Sequence, residues 1–151
     1  KDEKVLLIGG GSGVAPMLFL AKEAGLGPNN VSLLLGARSK EDHVDVERYS
    51  EFGALHFATE DGSLGEKGFV TQHSVFTDLK RYDKIYACGP DGMMKAVAKE
   101  AKAASVYCEV SLENLMACGF GVCLCCIEPT NKGNLCVCTE GPVFNINDLK
   151  W

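Results

Sequence analysis

The sequence predicts an α/β fold, a five-stranded doubly wound parallel sheet with a small cysteine-rich module at its C-terminal end. Three observations predict it. Five short apolar runs rich in β-branched and aromatic residues recur along the first 110 positions, helical patterns lie between them, and six of the eight cysteines crowd between Cys118 and Cys138. Runs of this kind suit parallel strands buried on both faces, and strand–helix alternation with short connections gives right-handed crossovers.

The first strand is KVLLIG (4–9), which enters the loop GGGSGVAP (9–16). Val14 to Ala24 follows as a helix that buries Met17, Leu18, Leu20, Ala21 and Ala24. VSLLLGA (31–37) and ALHFAT (54–59) are the second and third strands, with shorter helical patterns over 41–52 and 69–76. KIYAC (84–88) is the fourth strand. Asp91 to Ala103 is a helix that buries Met94, Val97, Ala98 and Ala101 and turns Lys95, Lys99 and Lys102 outward. SVYCEV (105–110) is the fifth strand. Beyond it the periodicity stops, and 111–151 is too short to bury a core of its own, so a disulfide or metal is expected to hold it. Two domains are therefore expected, 1–107 and 108–151.

A hydrophobic share of 46% and a charged share of 23% belong to an ordinary soluble protein, and no apolar run is long enough to span a bilayer. The net charge of -5, with Lys and Arg scattered, offers no footprint for a phosphate backbone, so neither nucleic acid nor a membrane is an expected partner. The chain opens KDEKVLLIGGG without Met or a signal-peptide pattern and reads as a piece of a longer protein. A disulfide framework would spread its cysteines over the loops it staples, whereas this crowding favours a metal site in a reducing compartment, the cytoplasm.

Glycines between a strand and a helix let the backbone turn sharply and let a pyrophosphate approach the N–H groups at the helix N-terminus. Pro16 falls in the first helical turn, where its missing N–H costs nothing. A strand-to-helix turn also needs glycine for geometry alone. The acidic residue that the dinucleotide fingerprint wants at the end of the second strand is missing, for Gly36-Ala37-Arg38 stands there. A second loop, Cys88-Gly89-Pro90-Asp91-Gly92, follows the fourth strand on the same carboxyl edge and faces the first across a cleft. By itself Cys88 reads equally as a buried strand-end thiol. His43, His56 and His73 lack metal-ligand spacing and read as surface or packing residues.

GGGSGVAP followed by YACGPDGMM (86–94) resembles the nicotinamide-binding domain of the ferredoxin reductase family over residues 4–110. The resemblance implies that Gly10, Gly11, Ser12, Gly13, Ala15 and Pro16 cradle the pyrophosphate of NAD. It implies that Cys88, Gly89 and Pro90 lie beside the nicotinamide where it meets a flavin, with Cys88 shaping the site, not acting as a nucleophile. The adenosine ribose would be read after the third strand, by Glu60 or Asp61. A carboxylate there accepts from ribose hydroxyls and repels a 2'-phosphate, which argues for NAD over NADP; Arg38 is the counter-argument.

In the cysteine-rich module Cys118, Cys123 and Cys126 satisfy C-x4-C-x2-C, the spacing by which one loop wraps a [2Fe-2S] cluster, with a fourth thiolate from downstream. Gly119 and Gly121 let the loop aim backbone N–H groups at cluster sulfurs. Zinc competes, since Cys123-x2-Cys126 is half of a tetrahedral site, but its other half would be the cramped Cys136-x-Cys138. SLENLMACGFGVCLCC (111–126) with VCTEGPVF (137–144) resembles the iron-sulfur module of the dihydroorotate dehydrogenase electron-transfer subunits. That resemblance implies Cys118, Cys123, Cys126 and Cys138 as ligands. Cys125 and Cys136 depart from the family pattern, and either could replace a ligand. It further implies an oxidoreductase function: electrons pass between NAD(H) and a catalytic dihydroorotate dehydrogenase subunit through FAD and the cluster, in pyrimidine biosynthesis. The FAD would be bound by a preceding β-barrel, for which these residues hold no strand-rich stretch, so this piece alone is not expected to turn over. The same module could serve a ferredoxin-, hydrogenase- or sulfide-linked enzyme, and a non-redox nucleotide-binding domain with structural zinc is the reading from another class.

Overall fold

The computed structural model describes residues 3–23, 25, 27–43 and 46–151. Its central strand, β1 (Val5–Gly10), is buried along its whole length, and a short 3-10 turn at Gly11–Gly13 leads from it into α1 (Val14–Glu23). β2 (Val31–Ala37), β3 (Ala54–Thr59) and the two-residue β4 (Glu66–Lys67) extend the sheet on one side of β1. β5 (Lys84–Cys88) lies on its other side, and α2 (Asp91–Ala104) then connects to β6 (Tyr107–Ser111). All of these pairs are parallel.

Side chains alternate across each strand, so β1 feeds two cores. Leu6 and Ile8 pack with Leu34, Ile85 and the buried stripe of α2, Met94, Val97, Ala98 and Ala101. Val5 and Leu7 pack on the opposite face with Leu33, Leu35 and, from α1, Met17 and Ala21. The sheet is thus wound on both faces, as expected. Leu18 and Leu20 of α1 are only half-buried, and the expected burial of Ala24 lies outside the described residues.

Among the described residues the sheet has seven strands and not five. β4 is too short to leave a pattern, and the seventh comes from the C-terminal segment. There β7 (Ile127–Thr130) and β8 (Gly133–Cys136) form a separate antiparallel hairpin, α3 (Val137–Glu140) follows, and β9 (Val143–Asn145) adds antiparallel to β6. Phe144, Ile146, Leu149 and Val137 join the α2-side core, so this segment borrows a core it is too short to make. The fifth strand starts two residues later than its apolar run, because Ser105 takes a left-handed conformation at the end of α2 and Val106 N–H still bonds the Ala101 carbonyl.

The patterns at 41–52 and 69–76 are not α-helices. The first gives 3-10 turns at Lys40–Asp42 and Val46–Tyr49, and residues 44 and 45 lie outside the described residues. The second gives 3-10 segments at Val70–Gln72 and Ser74–Arg81, parted by an extended His73. Side chains compete with the helical ladder in both: Asp42 accepts from Ser39 N–H at 3.3 Å, Gln72 from Phe69 N–H at 2.8 Å, and His73 Nδ1 from Val75 N–H at 3.1 Å. No helix among the described residues is long and apolar enough to cross a membrane.

Candidate nucleotide cleft and cysteine loop

Because β1 lies between β2 and β5, the loops that leave β1 and β5 are neighbours at the carboxyl edge of the sheet. Their approach is close enough that a Cβ added to Gly13 would overlap the carbonyl of Cys88. Beside them opens a cleft of about 830 Å³ that runs from Pro90 and Met93, across Gly10–Ser12, to Arg38, Glu60 and Phe69 beyond β2 and β3. Its shape and size suit a dinucleotide laid across the strand ends.

Of the residues expected at a nucleotide site, Gly10, Gly11, Ser12, Ala15, Glu60 and Pro90 line this cleft. Gly13 is buried beneath the Cys88 turn, and Gly89, at φ +149°, brings its backbone against Gly10. Pro16 sits in the first turn of α1, facing solvent. Asp61 does not face the cleft: its carboxylate accepts from Ser63 N–H at 2.9 Å and from the Ser63 hydroxyl at 2.6 Å, and these bonds hold it below the usual carboxylate range. Of these two carboxylates, Glu60 is the one presented there.

Cys88 is buried beneath the cleft wall, where burial and then the nearby Glu113 carboxylate push its thiol up. Its Sγ donates weakly to Glu113 Oε1 at 3.8 Å, and the Ser12 hydroxyl donates to both Glu113 oxygens at 3.3 and 3.2 Å. Glu113 comes from the segment after β6, so one carboxylate ties the glycine loop, the Cys88 turn and the start of the cysteine-rich region together. Spacing did not reveal it, since a lone Glu in a loop carries no pattern. Phe69, 62% exposed on the cleft wall, was likewise invisible, and His43 lines the cleft while its ring packs edge-on against Phe57, in keeping with the packing role expected of it.

All eight cysteines are unbridged. Gly119 and Gly121, with φ of +76° and +82°, fold the 118–126 loop so that backbone N–H groups turn toward sulfur. Cys118 Sγ accepts from Cys123 N–H, and Cys126 Sγ accepts from Cys138 N–H, both at 3.5 Å. The Cys123 and Phe120 N–H groups lower the Cys118 thiol to about 6, and the Cys138 N–H lowers Cys126. Burial raises Cys136, whose Sγ donates to the Gly121 carbonyl at 3.9 Å, and the Cys123 side chain raises the exposed Cys125. Two close pairs result, Cys118 with Cys123 and Cys126 with Cys138. Among the described residues no three thiol, imidazole or carboxylate groups converge on one ion position. Around this loop Leu115, Phe120, Val122 and Leu124 are exposed.

Residues 7–99 match the family model described as the oxidoreductase NAD-binding domain, and residues 113–150 match the iron-sulfur cluster binding domain of dihydroorotate dehydrogenase B. The chain is 38% identical over 151 residues to a probable dihydroorotate dehydrogenase B (NAD(+)) electron transfer subunit of Methanocaldococcus jannaschii, covering 99% of this chain and 58% of that relative. It is 42% identical over 149 residues to the electron transfer subunit of Listeria monocytogenes, covering 96% of this chain and 57% of that one. It thus spans less than two thirds of the length of these relatives. Among solved structures, that of the NADH-dependent reduced ferredoxin-NADP oxidoreductase superposes with a TM-score of 0.83 at 35% identity, covering 99% of this chain and 54% of that one. The ferredoxin reductase of carbazole 1,9a-dioxygenase gives 0.54 at 25% identity, over 70% of this chain and 35% of that one. The chain belongs to the oxidoreductase NAD-binding domain family and carries, fused to that domain, the iron-sulfur cluster binding domain of dihydroorotate dehydrogenase B.

Proposed function

We propose that this chain passes electrons between NAD(H) and a catalytic dihydroorotate dehydrogenase subunit, through FAD and a [2Fe-2S] cluster, in the cytoplasm. When bound, nicotinamide and flavin supply hydride chemistry and the cluster supplies one-electron chemistry. The chain's residues supply position. Gly10, Gly11, Ser12 and Gly13, with Ala15 and Pro16 opening α1, form the pyrophosphate cradle at a helix N-terminus. Glu60 accepts from the ribose hydroxyls, Asp61 shapes the loop that carries it, and Pro90 walls the nicotinamide end with Cys88 and Gly89 behind it. Cys118, Cys123, Cys126 and Cys138 are the ligands. A functional division at 107/108 follows, even though the second module leans on the first's core, and FAD belongs to a further domain of the β-barrel kind that the resemblance implies. The exposed apolar residues around the cysteine loop suit the face that meets the partner.

The observation that carries this reading is a glycine-turned cysteine loop, joined by N–H···S bonds within itself and to Cys138 downstream, in a segment that Glu113 ties to a dinucleotide-sized cleft. Anaerobically purified protein is expected to contain two irons and two acid-labile sulfides, to be coloured, and to give a paramagnetic signal on reduction. Zinc without sulfide would sink the redox assignment. A ferredoxin-linked enzyme is the second reading, favoured by the superposition on the NADH-dependent reduced ferredoxin-NADP oxidoreductase. Copurification with, or reconstitution of, a dihydroorotate-oxidising partner separates the two.

A further inference from the structure

We propose that Asp42 sets the choice of NAD over NADP by neutralising Arg38 at the adenosine end of the cleft. The inference rests on the reading of the cleft as a dinucleotide site. With the glycine loop at β1 and the Cys88 turn at β5, the adenosine end lies on the other side of β1, beyond β2 and β3. Arg38 leaves the carboxyl end of β2 there, and among the described residues it is the one permanent cation of the cleft wall. A free guanidinium in that position is the group a ribose 2'-phosphate would seek, because its planar fork bonds phosphate oxygens in pairs.

It is not left free. Arg38 Nε stands 3.6 Å from Asp42 Oδ2, and the same oxygen accepts from Ser39 N–H at 3.3 Å, which fixes the carboxylate at the turn. That turn is itself anchored: Lys40 N–H donates to Ser63 Oγ at 2.8 Å, and Ser63 donates to Asp61, in the loop that presents Glu60. Asp42 and Glu60 both line the cleft, so a 2'-phosphate would meet two carboxylates and a cation already compensated. A 2'-hydroxyl carries no charge and donates to Glu60. The Arg38 side chain is 82% exposed, so this ion pair contributes little to stability and serves to set local charge.

The test uses the full chain with its cluster, titrated with NADH and with NADPH, as wild type, Asp42→Asn and Asp42→Asn with Arg38→Ala. Asparagine keeps an oxygen that can accept from Ser39 N–H, and circular dichroism checks that the turn survives. The ratio of NADPH to NADH affinity is expected to rise about tenfold in Asp42→Asn, from the loss of one charge at short range. It should return toward the wild-type ratio when Arg38 is also removed, and the gain should shrink as salt is raised. An unchanged ratio in Asp42→Asn, or a gain that persists without Arg38, overturns the proposal. A wild-type chain that binds neither dinucleotide overturns instead the reading of the cleft beneath it.

Discussion

Two glycine-loop residues carry close constraints at the level of single residues. Gly13 lies under the carbonyl of Cys88, so Gly13→Ala must push the two strand-end loops apart. Overpacking of this kind costs about 1–3 kcal/mol, which denaturant unfolding would register, and NADH binding should weaken with it. Unchanged stability would mean that the loops are not in contact. Ser12 meets the second constraint through Glu113, whose charge helps raise the Cys88 thiol. Replacing Glu113 by Gln removes the charge and keeps the shape, so Cys88 should titrate lower, while burial, the larger cause, still holds it above an ordinary thiol. The pH dependence of Cys88 alkylation, followed residue by residue in the mass spectrum, reads this shift. A profile identical to wild type would deny the coupling. The glycines and Cys88 were legible because motif spacing marks them, whereas Glu113 depends on where the chain returns after β6, which no local pattern encodes.

Elements divide in the same way. The five predicted strands and α2 were legible because long-range burial and local period agree: every predicted inward residue of α2 is buried, and Lys95, Lys99 and Lys102 face solvent. The 69–76 pattern has the right spacing, but His73 and Gln72 bond backbone N–H groups and break the helix into 3-10 turns. His73 gives that segment a pH dependence. Its Nδ1 must be unprotonated to accept from Val75 N–H, Nε2 faces Glu66 at 3.4 Å, and burial lowers its affinity for a proton more than Glu66 raises it. The folded pKa is therefore below that of the unfolded chain, 6.5, so the stabilising contribution is whole above 6.5 and is lost as pH falls through the folded value. His73→Asn, whose side-chain oxygen can cap without titrating, should flatten this part of the stability-against-pH curve. The curve to record is thermal unfolding from about pH 7.5 to about pH 5, the window in which imidazoles titrate. A variant that falls as steeply as wild type would remove His73 from the account.

Across the whole molecule, the cysteine-rich region and the sheet are held by contacts of different kinds. Phe144, Ile146 and Val137 enter the α2-side core, and β9 pairs with β6. Glu128 in β7 accepts from Asn114 Nδ2 at 3.1 Å and from Trp151 Nε1 at 3.0 Å, while Lys95 of α2 lies 5.6 Å from the centre of the Trp151 ring. Of the 118–126 loop only Cys126 is buried in that core; the internal bonds of the loop run to sulfur and its apolar side chains are largely exposed. That loop was legible as a metal-binding spacing, but its attachment to the sheet was not, because β9 is three residues long and pairs across a wide sequence gap. The difference predicts a partial response to loss of the cluster. Chelation and oxidative removal of iron should open the amides of 118–126 and of the Cys136–Cys138 turn to hydrogen exchange, because the thiolates that metal drew together then repel or protonate. Amides of β1, β2 and β5 should keep their protection, since the proposed ligands reach only one of the two cores, through Cys126 buried in it and Cys138 packed against it. Uniform loss of protection through β1 would mean that the cluster stabilises the whole fold, and that the two regions are one cooperative unit.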